Sequence, residues 1–222
     1  MKKKPPPAPC LAPPTVPAPR GRPPSITRAR IAQAGMAIGL PHITFTGVAA
    51  ALGVSHMALY KHVPSLVALK QLVAEEIFAR WQLPEVDEQG RQGLRDYLQT
   101  FSSAARAFVR EHPGLTPYVL RRQAATPAML DKINAHHQHI ARVYGLRPAQ
   151  ARWLLSTVAF HCIAVSDTVY SLACAPPHPD EPEDLVSASA RAHQQAEMEA
   201  ELEQGMQALI VGALALLEEK KD

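Results

Sequence analysis

One short segment holds five side chains that can contact nucleic acid. Lys61 can donate hydrogen bonds to guanine or to phosphate, His56 can bond to a base or a phosphate, and Met57 can touch a thymine methyl group. The hydroxyl of Tyr60 and the side chain of His62 lie toward the flanks, where the phosphates of a duplex run. The segment therefore predicts contact with double-stranded DNA.

The charge of the chain supports this prediction. The first 74 residues carry nine Lys or Arg and no Asp or Glu, whereas the rest carries 14 basic and 20 acidic residues. The overall formal charge of +3 is therefore +9 followed by −6. A strongly positive first third indicates a polyanionic partner.

A glycine turn joins two short predicted helices in this region. Thr44 can cap the first helix, Gly53 allows the turn, and Ser55 can cap the second helix. These are the parts of a helix-turn-helix, whose second helix enters the major groove. On that helix, Met57 and Lys61 lie four apart and point away from the apolar face.

Helical spacing and chain breakers predict an all-α protein. No run of alternating β-branched residues predicts a strand. Beyond a first helix that ends near Ile38, the helix-turn-helix and a helix from Ser65 toward Trp81, further helices are predicted over 91–111, 115–123, 127–144, 149–174 and roughly 193–219.

The helix-turn-helix resembles the DNA-binding domain of the tetracycline-repressor (TetR) family of bacterial regulators. The matching residues are Gly39, Thr44, Val48-Ala49, Leu52-Gly53-Val54-Ser55, Leu59-Tyr60-Lys61-His62-Val63 and Leu69. The resemblance implies that a common set of residues approaches DNA: Thr44, Ser55, His56, Met57, Tyr60, Lys61 and His62. It also implies a dimer and a C-terminal domain that binds a small-molecule effector.

The sequence departs from the family's pattern in two places. Leu66 stands where a lysine usually grips a phosphate at the start of the fourth helix, and whether Lys70 replaces that lysine stays open. The first helix is also about a turn shorter than usual, because its apolar positions reach Gly39 too soon.

The N-terminal 24 residues contain ten of the 21 prolines and predict an extended arm. Arg20 and Arg22 flank a glycine, a pattern typical of arms that enter a narrow minor groove. A solvated charged linker is the alternative for this element.

Two helices of the C-terminal half carry heptad-like apolar seams. Two such helices from each of two chains would form a four-helix dimer interface, as in the resembled family. Packing of both seams within one chain is the alternative. The seam residues are Leu155, Val158, Cys162, Val165 and Val169, then Leu202, Met206, Leu209, Ala213 and Leu216.

The helices from 91 to 174 carry candidates for the lining of a small-molecule cavity. The candidates are Phe101, Phe108, Tyr118, Trp153, Phe160, His161 and Tyr170, and ordinary core packing is the alternative for each. His136 and His139 lie three apart on one helical face. No carboxylate or cysteine stands at a ligating spacing, so we predict a solvated cluster rather than a metal site, and no cofactor.

Other function classes are disfavoured. The sequence has no glycine-rich phosphate loop, GxSxG or HExxH motif, so we expect no enzyme. Cys10, Cys162 and Cys174 show no paired spacing, which fits a reducing cytosol. The longest uncharged apolar stretches fall short of the roughly 18–20 residues of a membrane span.

Together, these patterns predict a cytoplasmic, homodimeric transcriptional regulator. We expect a repressor that binds a near-palindromic operator and is released by a small-molecule effector. The predicted parts are an arm at 1–24, a DNA-binding domain at 25–70, and an effector-binding and dimerisation domain at 71–222. The alternatives are a constitutive DNA-binding or architectural protein without an effector, and a helical enzyme built on the histidine-rich C-terminal half.

Overall fold

The computed structural model of the protein describes residues 26–87, 92–173 and 185–219. These residues form nine α-helices and contain no β-strand, which confirms the all-α prediction. The helices are α1 (Arg28–Ile38), α2 (Phe45–Leu52), α3 (His56–Tyr60), α4 (Leu66–Arg80), α5 (Leu94–Glu111), α6 (Thr116–Leu120), α7 (Pro127–Val143), α8 (Pro148–Ala173) and α9 (Leu185–Glu219). The predicted arm, with Arg20 and Arg22, lies outside the described residues.

Hydroxyl side chains start the first four helices. Thr27, Thr44, Ser55 and Ser65 each accept a hydrogen bond from the backbone N–H three residues further on, at 3.0–3.3 Å. Each bond satisfies one of the N–H groups that a helix start leaves without a partner. Gly53 adopts the left-handed conformation (φ 65°) that ends α2 and turns the chain toward α3.

Three elements differ from their predicted bounds. A 3₁₀ turn at Leu40–His42, which was not predicted, joins α1 to α2 and buries Leu40. Helix α6 is shorter than predicted, at Thr116–Leu120. Helix α9 begins at Leu185 rather than near 193, since no proline or glycine interrupts the stretch after Pro182.

The buried side chains form two clusters. The N-terminal cluster joins α1 to α4 and also contains Phe108, Leu115 and Met129 from the C-terminal half. The C-terminal cluster joins α5, α7, α8 and α9. The domain boundary predicted at residue 70 lies inside α4, whose later residue Phe78 is still buried in the N-terminal cluster. Helix α4 thus connects the two parts of the chain without a linker.

At Gly35, α1 packs closely against α4. A Cβ atom at this position would lie 2.4 Å from Cγ2 of Val73. We expect Gly35→Ala to lower the free energy of unfolding by about 1–3 kcal/mol, because the clash outweighs the gain in helix propensity. Urea denaturation measures this loss. Val73→Ala in the same chain should recover part of it, and an additive double variant would contradict the contact.

Two described helices, within 148–171 and 188–219, are long and apolar enough to cross a membrane. This is weak evidence for membrane association, because core helices of globular proteins meet the same criterion. Both helices also contribute buried residues to the C-terminal cluster, among them Leu155 and Leu202.

Candidate DNA-binding surface and ligand cavity

Helix α3 buries one side and exposes the other. Leu59 and, just beyond the helix, Val63 are almost completely buried in the N-terminal cluster. Met57 is 71% exposed, Tyr60 is 42% exposed, and Lys61 is also exposed. The buried leucine anchors the helix, since burying such a side chain stabilises a fold by about 1.5–3 kcal/mol. Among the described residues, these exposed side chains form one surface that carries the positive charge of Lys61.

Two aromatic rings, Phe45 and His56, fix the position of Tyr60. Its ring stacks on Phe45 of α2 with a centroid distance of 4.4 Å and an interplanar angle of 14°. The His56 ring meets Tyr60 and Phe45 edge to face, at 5.1 and 5.4 Å. Phe45 was missed as a site residue, although the four-residue spacing of His56 and Tyr60 signals a shared helical face. These three rings, Phe45, His56 and Tyr60, form an aromatic platform that holds α3 against α2 and leaves the Tyr60 side chain partly exposed.

The other predicted DNA-contacting residues lie around this surface. Thr44 and Ser55 are exposed, and their hydroxyls accept the capping hydrogen bonds of α2 and α3. His62 is half-buried, and its backbone carbonyl accepts a hydrogen bond from Nη1 of Arg28 at 3.3 Å. Leu66 is exposed and Lys70 is half-buried one turn later. A phosphate contact by Lys70 stays a prediction.

A cavity of about 570 Å³ lies in the C-terminal half, bounded by the end of α4 and by α5, α6, α7 and α8. Its aromatic lining consists of Phe78, Trp81, Phe101, Trp153 and Phe160. Its size lies in the range of cavities that hold drug-sized molecules. Three of the seven predicted lining residues are therefore at the cavity.

The other four predicted lining residues lie elsewhere. Phe108 stands behind the wall, where it stacks on Trp81 with a centroid distance of 4.4 Å. Tyr118 packs on the N-terminal cluster, and Tyr170 is buried in the C-terminal cluster. His161 is exposed beside a groove between α8 and α9. Helical spacing alone does not distinguish the two sides of such a wall.

Polar side chains of the cavity come mainly from α7 and α8. They are Arg122, Asn134, His136, His137, Arg152, Ser156 and Thr157. Nε2 of His136 lies 2.9 Å from the hydroxyl of Tyr97, and burial lowers the His136 pKa to about 4. Burial and the nearby Arg152 also lower the pKa of His137. His136 is therefore neutral at pH 7, and it lines the cavity together with His137.

The three histidines of α7, His136, His137 and His139, do not all line the cavity. His139 is not among the residues that line the cavity with His136 and His137. Within the described ranges, no group of three or more His, Cys, Asp or Glu side chains could hold a metal ion.

Lys132 joins the cavity wall to the end of α4. Its ammonium group, on α7, donates to the carbonyls of Phe78, Ala79 and Trp81. Carbonyls at a helix end lack partners within the helix, and a cation is favourable there. Burial lowers the pKa of Lys132. The sequence analysis missed this residue, because its acceptors lie more than 50 residues away.

The seam residues of α8 and α9 pack within the chain, so the predicted interface assignment is corrected. Seven of the ten are buried in the C-terminal cluster: Leu155, Val158, Cys162, Val169, Leu202, Met206 and Ala213. Val165 and Leu209 are partly buried against the same cluster, and Leu216 is 48% exposed. Most of each seam is therefore used in packing α8, α9 and α5 together, and the exposed Leu216 is the exception.

The described fold is similar to solved structures of TetR-type proteins. A single-substitution variant of TetR from Acinetobacter baumannii AYE in complex with minocycline has a TM-score of 0.61 at 20% identity, over 85% of this chain and 96% of that chain. The TetR family protein ActR from Streptomyces coelicolor in complex with (S)-DNPA has a TM-score of 0.61 at 18% identity, over 87% and 99%. ActR in complex with actinorhodin has a TM-score of 0.60 at 20% identity, over 88% of this chain and 98% of that chain.

No protein-family model matches the sequence, and no curated protein matches it significantly. At these identities, the similarity to the solved structures is one of fold. The chain therefore has a TetR-like fold, as the resemblance of its helix-turn-helix implied.

Proposed function

We propose that the protein is a ligand-responsive transcriptional repressor of the cytoplasm, which binds a near-palindromic operator as a homodimer. The observation that carries the proposal is the exposed side of α3, where Met57, Tyr60 and Lys61 project from a helix anchored by buried Leu59. The TetR-like fold supports the proposal, because its solved neighbours include TetR and ActR with small molecules bound.

In this proposal, α3 lies in the major groove. Lys61 donates to guanine or phosphate, and Met57 contacts a thymine methyl group. Tyr60, held by its aromatic platform, and Thr44 reach the phosphates on either side. Arg20 and Arg22 follow the adjacent minor groove.

A dimer must use the sides of α8 and α9 that the chain leaves free. On α9, Gly205, Ala208, Gly212 and Leu216 recur at spacings of three and four, and all four are exposed. On α8, the exposed residues His161, Ala164 and Thr168 recur in the same way, and Phe160 is exposed next to them. His161, Thr168 and Gly205 line one groove between the two helices. Small side chains allow helices from two chains to approach closely, which supports a four-helix interface.

We expect Leu216→Glu to shift the protein from dimer to monomer. The side chain is 48% exposed in the single chain, so the fold tolerates the change, whereas a buried carboxylate in an interface lacks a partner. Analytical ultracentrifugation measures the shift. Gln207→Glu, exposed on a different side of α9, is the matched control and should leave the dimer intact. A dimer of wild-type strength in Leu216→Glu would contradict this interface.

The proposed effector site is the cavity lined by Phe78 and Trp81. Phe78 belongs to the last turn of α4 and Trp81 is the residue that follows this helix, which comes directly after the helix-turn-helix. An effector that favours one position of this end would change the separation of the two α3 helices and lower operator affinity. Lys132 transmits the change, because it ties α7 of the cavity to the same end of α4.

Selection of bound fragments from random duplex DNA tests the proposal. A repressor dimer should select two inverted half-sites whose centres lie about one helical turn apart or a multiple of it. The logarithm of the affinity should fall linearly with the logarithm of the salt concentration. Selection of unrelated sequences would favour an architectural protein. Turnover of a substrate after deletion of residues 1–64 would favour an enzyme.

A further inference from the structure

The charged side chains that line the cavity are all basic. Arg122 and Arg152 line it, whereas no Asp or Glu among the described residues belongs to its lining. In the part of the chain that the structure describes, neither arginine forms an ion pair with a carboxylate. Each guanidinium can therefore pair with a charge that a ligand brings.

One buried polar atom of the cavity also lacks a partner. Nδ1 of His137 is buried and forms no hydrogen bond within the described ranges. Such atoms are rare in folded proteins, and a bound molecule is one reason for them. His137 and Arg152 also line an adjoining cavity of about 340 Å³, so they stand together at one end of the larger one.

Apart from Asn134, His136, Ser156 and Thr157, the remaining lining is apolar. Trp81 and Phe78 come from the end of α4, Phe101 from α5, and Trp153 and Phe160 from α8. Aromatic rings favour flat, apolar molecules that stack on them or meet their edges. A ligand complementary to this cavity is flat and apolar over most of its surface and charged at one end.

We propose that the cavity binds an aromatic organic anion, such as a carboxylate or sulfonate, whose charged group pairs with Arg152 and hydrogen-bonds to His137. This inference rests on the proposed function, because it names the chemical class of the effector. Lipophilic cations are disfavoured, since they would meet two arginines and no carboxylate.

Two fluorescent probes of nearly the same shape test the proposal. The anion 1-anilinonaphthalene-8-sulfonate differs from neutral N-phenyl-1-naphthylamine only by its sulfonate. Both tryptophans of the chain, Trp81 and Trp153, line the cavity, so energy transfer from tryptophan is most efficient for a probe bound there. The wild-type protein should bind the anion about tenfold or more tightly than the neutral probe.

Arg152→Gln should remove this preference. We expect it to weaken binding of the sulfonate about tenfold or more and to change binding of the neutral probe by less than about twofold. Arg142→Gln, which removes the same charge from α7 outside the cavity, is the control and should change neither affinity. The wild-type comparison needs no variant, so it decides the question even if a variant folds poorly.

Each of the other results of the probe experiment contradicts a specific part of the proposal. Equal binding of both probes by the wild-type protein, or equal loss of both in Arg152→Gln, overturns the anion site and leaves an effector cavity. Failure of the neutral probe to displace the sulfonate places the two probes in different sites and also overturns it. If neither probe binds, both the anion site and the effector cavity are contradicted. Operator binding, measured separately by fluorescence anisotropy, tests the proposed DNA-binding function.

Discussion

Met57→Glu should weaken operator binding strongly without destabilising the fold. Met57 is 71% exposed on α3, so Met57→Glu adds no buried charge, and we expect the free energy of unfolding to change by less than about 0.5 kcal/mol. On DNA, the new carboxylate would face the negative groove and replace an apolar contact. We expect operator affinity to fall by about a hundredfold or more, measured by fluorescence anisotropy at fixed salt concentration.

Two further variants show whether Met57→Glu acts by losing a contact with DNA or by changing the net charge of the protein. Ser103→Glu adds the same charge at an exposed position of α5, in the other half of the chain, and should leave affinity nearly unchanged. Met57→Leu keeps an apolar side chain of similar size and should retain most of the affinity. If Met57→Glu and Ser103→Glu weaken binding equally, the exposed side of α3 is not the DNA-binding surface.

The first four helices could be predicted from the sequence because their signals are local. Thr44 and Ser55 each cap the helix that follows them, and Gly53 ends α2 through its own backbone conformation. The exposed side of α3 follows from one anchored residue, Leu59, and from the helical period. None of these features requires knowledge of a distant segment.

The packing partners of α8 and α9 could not be predicted, because heptad spacing does not specify which helix is the partner. The seams of α8 and α9 indicate only that each helix packs against another helix, and here the partners belong to the same chain. The lining of the cavity could not be predicted from the sequence either. Phe108 and Trp81 stack on each other, but only Trp81 lines the cavity. Tertiary packing decides both cases, and the exposed side of α9 emerges only after the seams are assigned.

Lys132 should have the largest effect on both stability and effector response. Lys132→Met removes a charged donor from the carbonyls of Phe78, Ala79 and Trp81 and leaves them partly buried without that partner. We expect the free energy of unfolding to fall by about 2–4 kcal/mol, since hydrogen bonds to charged groups are strong and unsatisfied acceptors are costly. Urea denaturation measures the loss as a lower midpoint at an unchanged slope. Arg95→Met, at an exposed position of α5, is the control and should change it by less than about 0.5 kcal/mol.

The same variant tests how the cavity and the operator surface communicate. Lys132 connects α7, which carries His136 and His137, to the end of α4, which carries Trp81. Without this connection, a molecule in the cavity can bind while α4 stays in place, so Lys132→Met should bind operator and still lose most of its release by effector. A variant that retains full release would show that the coupling runs through other contacts between α4 and the C-terminal half, such as the hydrogen bond from Gln71 to the carbonyl of Ala124.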